Sequence, residues 1–170
     1  PECGWHPLAA ATKGLAGTEL AEIGLMKRAG ALAVATGRQW IADSGIMLKL
    51  LQYCHALDMP IIAHCEDAGL TANSVATSGE TATRLGLSSA PASAEALAIL
   101  RDLALVRDCG AKLHFRQVTT AQGLALIRQA KAEGLPVTCG ITPAHLFLSD
   151  IAISDFRTFA RISPPLRSEE

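Results

Sequence analysis

The chain has 170 residues, 49% of them hydrophobic and only 4% aromatic, with scattered charges and a formal net charge of −1. That length supports one domain with a real core, and the apolar content excludes a disordered chain. No basic stripe points to nucleic acid, no apolar run approaches the roughly 20 residues of a membrane span, and the N-terminus does not read as a signal peptide. The five cysteines, Cys3, Cys54, Cys65, Cys109 and Cys139, are widely spaced and form no C-x-x-C. This usage reads as reduced thiols in a cytoplasmic protein and argues against a disulfide framework or a structural zinc.

The first seventeen residues read as irregular, punctuated by Gly4, Pro7, Gly14 and Gly17. Thr18 then offers an N-cap, and Leu20, Ile23 and Met26 keep a helical period that closes on Lys27, Arg28 and Gly30. Residues 31–36 form a short apolar strand, followed by the loop Gly37-Arg38-Gln39-Trp40. Asp43 or Ser44 caps a helix with Ile46, Met47, Leu50, Leu51 and Cys54 on one face. Pro60 opens the next strand, Ile61-Ile62-Ala63, which reads as buried on both faces and ends in His64-Cys65-Glu66-Asp67. Strand, helix and strand within some 35 residues make a βαβ unit.

Residues 68–90 are a long excursion that reads equally as a lid or an ordered insertion, with a short helix begun by the capping-box spacing of Thr77 to Glu80. Pro91 opens a strong helix to Cys109, stopped by Gly110. A strand at 112–117 follows, then a helix begun by a capping box over Thr119 to Gln122 and ended near Gly134. Residues 136–140 are a further strand, Thr142 to His145 a loop, and 159–163 a weak strand. Ser168 to Glu170 resemble the cap and first turn of a further helix. Repeated βα units without a second composition domain predict an α/β fold, part of an eight-stranded barrel; a whole barrel takes about 250 residues.

Gly37, His64 and Gln117 each fall at the carboxyl end of a different predicted strand, where barrel chemistry collects, and His145 lies on the same side. Only His64 is a good zinc donor of the first three, since Gln117 offers a neutral amide and Gly37 no side chain. Cys65 beside His64 points to the opposite face of the strand, which disfavours a Cys–His nucleophile. His114 reads as a core or helix-packing histidine, and His6 and His55 as surface or packing residues. Glu66 and Asp67 read as organisers of loop amides.

With those residues in view, the chain resembles the dihydroorotases of the amidohydrolase superfamily, in the class without a carboxylated lysine. The matching stretches include Ala11 to Leu15, Leu20 to Gly24, His64-Cys65-Glu66-Asp67, Arg84 to Leu87, Arg101-Asp102, Thr142 to Leu146 and Pro164-Pro165-Leu166-Arg167. The resemblance implies a metal-dependent (β/α)8 TIM barrel that interconverts N-carbamoyl-aspartate and dihydroorotate in pyrimidine synthesis. Residues 1–170 would then be an incomplete barrel domain, strands three to seven. The family's His-x-His pair and its general-base aspartate would lie outside the chain.

By the same resemblance His64 is a metal ligand, Gly37 and Gln117 stand at two substituted metal positions, and His145 and Ser163 lie on the substrate side. The family's cofactor is zinc. Two readings follow: a silent homologue with an eroded metal site, partnering aspartate carbamoyltransferase, and an active mononuclear zinc dihydroorotase. A hydrolase for another cyclic amide, such as a hydantoin, is a third. The implied assembly is a homo-oligomer, with no nucleic acid or membrane partner.

Overall fold

The computed structural model describes residues 4 to 169, so Cys3 and Glu170 lie outside it. In chain order the elements are β1 (Leu8–Ala10), α1 (Ile23–Arg28), β2 (Ala33–Ala35), α2 (Ser44–Ala56) and β3 (Ile61–Ala63). The excursion holds α3 (Ala68–Thr71), β4 (Ala76–Thr77), α4 (Glu80–Leu85) and β5 (Ser89–Ala90). Then come α5 (Ser93–Cys109), β6 (Leu113–Phe115), α6 (Ala121–Ala132), β7 (Val137–Cys139) and α7 (Pro143–Phe147), with 3-10 turns at Asp150–Phe156 and Thr158–Ala160.

The main sheet has five parallel strands in the order β1-β2-β3-β6-β7. Its register sorts the two faces. Val34, Ile61, Leu113 and Val137 stand in one row and are buried against Leu50 and Leu51 of α2 and Ile99, Leu103 and Val106 of α5. Ala35, Ile62, His114 and Thr138 stand in the neighbouring row, on the face that the helices leave open. Every parallel connection needs a crossover, and the helices that supply it all cover one face, as in a stretch of barrel wall. α5 packs against both α2 and α6 and is the hub of that layer.

Local chemistry explains most boundaries. Asp43 caps α2 by accepting from the Ile46 amide at 2.9 Å. Gly110 ends α5 at φ +70°, a left-handed turn that glycine takes without a Cβ penalty. The excursion is an ordered insertion: β4 and β5 pair in parallel, and Ala76 and Ala82 pack with Ile153, Ala160 and Leu166 in a second small core.

Several expectations are corrected. The leader contains a strand, β1, that pairs with β2. Thr18 does not cap a helix, because residues 12–20 form a loop closed by the Thr12–Leu20 bridge and the Lys13–Glu19 ion pair, and α1 starts only at Ile23. β3 is buried on its helix side at Ile61 and Ala63, while Ile62 on the other face is half-buried. The cap of α6 is Thr120, accepting from the Gly123 amide at 3.0 Å. The excursion's helix α4 has Gly79 before it and no side-chain cap. Residues 142–145 enter a short helix with Pro143 in its first turn, and 159–163 are no strand but the end of the Thr158–Ala160 3-10 turn and irregular backbone leading to a cis Ser163–Pro164 bond. Residues 168 and 169 are irregular. His114 stands on the open face, half-buried, with its Nδ1 2.8 Å from Thr138 Oγ1.

Candidate functional site at the carboxyl end of the sheet

His64 follows β3 directly, and its amide donates to the buried Thr36 hydroxyl at 2.9 Å. Its side chain is 11% exposed, and its Nε2 lies 3.7 Å from Glu66 Oε2, beyond hydrogen-bond length. Burial lowers the imidazole pKa to about 4, and the nearby guanidinium groups of Arg116 and Arg38 push the same way. At neutral pH His64 is therefore uncharged, and its contact with Glu66 is not an ion pair.

Alternation along the strands shows what stands beside it. Counting two residues on from Ala35, Ile62 and His114 reaches Gly37, His64 and Arg116 on the open face. Arg116 Nη1 donates to the Gly37 carbonyl at 3.4 Å, reaching from the end of β6 to the end of β2. Sequence reasoning overlooked Arg116; a period of two from His114 would have found it. Gln117 is half-buried, and its backbone carbonyl accepts from the Cys65 thiol at 3.5 Å. Cys65 itself is buried toward the helix layer with its thiol pKa pushed up, which makes it an inert packing group.

Behind the mouth lies a network of buried charges. Arg167 Nη2 pairs with Glu66 Oε1 at 2.9 Å and stands 3.6 Å from Glu95 Oε2. Its Nε and Nη1 donate to the hydroxyls of Thr119 at 2.9 Å and Thr77 at 3.0 Å. Glu95, fully buried at the start of α5, also accepts from both the amide and the hydroxyl of Thr119 and of Thr120, at 2.6 to 3.0 Å. Burial raises the Glu66 pKa, and Arg167 opposes that rise. Asp67 accepts from the Gly69 and Leu70 amides at 2.8 and 3.3 Å and caps α3.

His145 spends both ring nitrogens on the protein. Its Nε2 lies 2.8 Å from the Pro164 carbonyl and its Nδ1 2.7 Å from Thr142 Oγ1. A carbonyl can only accept, so Nε2 carries the proton and the Thr142 hydroxyl donates to Nδ1. This bond fixes the loop that puts Ser163 on the wall of a cavity of about 520 Å³.

A second clamp holds the loop after β2. Arg101 stacks 4.5 Å from the Trp40 ring, donates to the Ile41 carbonyl at 2.7 Å and pairs with Asp102 Oδ1 at 2.6 Å. Asp102 is buried, its Oδ2 has no partner among the described residues, and its pKa is pushed up to about 6 by burial against the pull of Arg101. A carboxyl whose folded pKa lies above its unfolded value stabilises below that unfolded value, and the contribution is lost as pH rises through the folded one. Asp102→Asn is therefore expected to gain stability relative to the parent between about pH 4 and pH 6. Thermal unfolding across that window checks this; a difference flat with pH would contradict it.

Among the described residues no three histidine, cysteine, aspartate or glutamate side chains converge on a metal position. A divalent cation near His64 would meet its imidazole and the Glu66 carboxylate, whose Oε2 lies 3.7 Å from Nε2, with a glycine at 37 and the charge of Arg116 and Arg38 close by. Among the described residues that is fewer than the three protein ligands of a catalytic zinc site.

Residues 3–122 match the protein family described as Dihydro-orotase-like. The chain belongs to the dihydroorotase-like family. It is 42% identical over 163 residues to the dihydroorotase of Pelotomaculum thermopropionicum, covering 96% of this chain and 38% of that protein. To the dihydroorotase of Anaeromyxobacter dehalogenans strain 2CP-C it is 41% identical over 167 residues, covering 97% and 39%. The chain thus spans less than half the length of these dihydroorotases.

Among solved structures it superposes on an L-hydantoinase (dihydropyrimidinase) from Arthrobacter aurescens with a TM-score of 0.73 and 24% identity, covering 95% of this chain and 37% of that one. A D-hydantoinase from Bacillus sp. AR9 gives 0.74 and 22%, covering 98% and 38%. These likenesses show the fold: the dihydroorotase-like chain is part of a TIM barrel. Among its described residues no helix is long and apolar enough to cross a membrane.

Proposed function

We propose that this chain is a segment of a dihydroorotase-like barrel whose metal site has eroded, leaving weak or no cyclic-amide hydrolase activity. The observation that carries the reading is the setting of His64, where the positions read as those of further donors hold Gly37 and Gln117 and the guanidinium groups of Arg38 and Arg116 stand nearby. His64 is the one remaining ligand in this reading. Gly37 and Gln117 are the substituted positions, Glu66 and Asp67 organise the loops, and Ser163 lies on the substrate side with His145 acting through its loop. Even changes beyond the direct ligands cost roughly 10–100-fold in metal affinity, so two lost donors and an added positive charge cost more. The general-base aspartate belongs to a part of the barrel outside residues 1–170.

The retained scaffold then serves assembly: a homo-oligomer that partners an aspartate carbamoyltransferase in the cytoplasm. Four free cysteines among the described residues, Cys54, Cys65, Cys109 and Cys139, support a reducing compartment. Metal analysis of the intact protein, with hydrolysis assays on dihydroorotate and on hydantoin, tests the proposal. The expected result is substoichiometric zinc and rates near background on both. Stoichiometric zinc with dihydroorotate hydrolysis abolished by His64→Ala would establish the active mononuclear enzyme instead. Turnover of hydantoin alone would make it a hydrolase for another cyclic amide.

A further inference from the structure

Of the four phenylalanines only Phe115 is buried; Phe147, Phe156 and Phe159 lie exposed between residues 147 and 159. Large apolar rings are normally drawn inside, and a group of them left outside marks a surface that meets something. The backbone holds them there. Ile153 and Ala160 are buried with Ala76, Ala82 and Leu166 in the second small core, and residues 155 to 159 all stand exposed between those two anchors. Asp155 and Phe156 both take left-handed backbone, at φ +60° and +56°. A bulky ring rarely accepts that conformation, so the fold sustains strain while Phe156 stays 63% exposed. Beside it opens a cavity of about 280 Å³, lined by Val75, Leu87, Ile153 and Phe156 together with Arg157 and Arg161. It shares no lining residue with the hollow at His64 and Glu66. Among the described residues Asp155, Arg157 and Arg161 enter no ion pair.

We propose that this turn is a contact surface between two copies of the chain, each presenting Phe156 to the apolar cavity of the other. A two-fold contact joins a patch to itself, so the patch must carry its own complement. This one does. Asp155 and Arg157 flank Phe156, both exposed, and across a two-fold axis the acid of each copy faces the base of the other. A partner of a single charge would meet one of the two with a like charge. The cavity has room for a phenyl ring, since an apolar space of about 150 Å³ already holds benzene. Aromatic rings seated in apolar pockets are the usual anchors of protein interfaces. The inference rests on the homo-oligomer in the proposed function and adds where its copies meet; it needs nothing of the metal site.

Sedimentation velocity of the intact protein over a range of concentrations tests it. The expected result is self-association that Phe156→Ser weakens by about tenfold or more, as loss of an interface anchor does. Arg157→Asp leaves two acids at each patch and Asp155→Arg two bases, so each variant alone is expected to lose that association. An equal mixture of the two is expected to regain it, because the acidic patch of one then meets the basic patch of the other. All three substitutions fall on exposed residues, and the variants are expected to keep the parent melting temperature. If the left-handed backbone makes Asp155→Arg unstable, Asp155→Asn, which that conformation accepts, must still weaken association. An oligomer indifferent to Phe156→Ser and to both charge changes, or a mixture that stays dissociated, overturns this surface and leaves the homo-oligomer standing. An intact protein that is monomeric at every concentration overturns both.

Discussion

Glu95→Ala is expected to lower the stability of the intact protein by about 3–5 kcal/mol, the range for breaking a buried charged network by removing one partner. The carboxylate is fully buried and accepts from two amides and two hydroxyls of Thr119 and Thr120. Alanine would leave those donors without an acceptor in a site closed to water, each costing about 1–3 kcal/mol before relaxation. The loop between β6 and α6 would lose its anchor, and the N-terminus of α6 would depend on the Thr120 cap alone. Urea unfolding measures the effect. A loss under 1 kcal/mol would show that water or a neighbouring group replaces the carboxylate.

Arg167→Leu is the second large effect. It leaves Glu66 and Glu95, 4% and 0% exposed, with no cation between them, and is expected to cost about 3–5 kcal/mol at pH 7. The pH dependence follows from the direction of the Glu66 shift, which burial already raises and Arg167 opposes. Without the guanidinium the folded pKa rises further. The variant's deficit is then greatest at neutral pH and shrinks as pH falls and the carboxyl takes up a proton. Thermal melts of parent and variant from pH 7 down to pH 4.5 test this. A deficit that stays constant or grows toward low pH would refute the assignment.

Much of the fold could be read from residue order because its signals are local. The apolar face of α2, its Asp43 cap and the Gly110 stop of α5 need no tertiary partner to be recognised. What escaped was set by distant contacts. β1 is three residues long, sits among glycines and prolines, and is a strand only because β2 pairs with it. Thr18 has the chemistry of a cap, yet the bridge from Thr12 to Leu20 draws that stretch into a loop.

The site was legible in part. His64 stood out as a donor at a strand end. The bonds of Glu66 span 101 residues to Arg167, and those of Glu95 run from the first turn of α5 to the two residues that precede α6, so no spacing rule reveals either. Arg116 lay in plain view, but its meaning depends on which face of β6 looks into the barrel, and the register supplies that.

The division between the buried network and the mouth has a consequence for the history of such a protein. The bonds that lock the loops together belong to Glu66, Glu95, Arg167 and the threonines, and none involves a side chain at position 37, 64 or 117. The side chains of His64 and Gln117 can be exchanged without breaking that network, whereas Gly37, at φ +72° with Leu15 Cδ1 3.1 Å from where a Cβ would stand, resists substitution. Selection for a stable barrel therefore acts mainly on that network, and a lineage freed from catalysis would keep its shape while side chains such as those at 64 and 117 turn over.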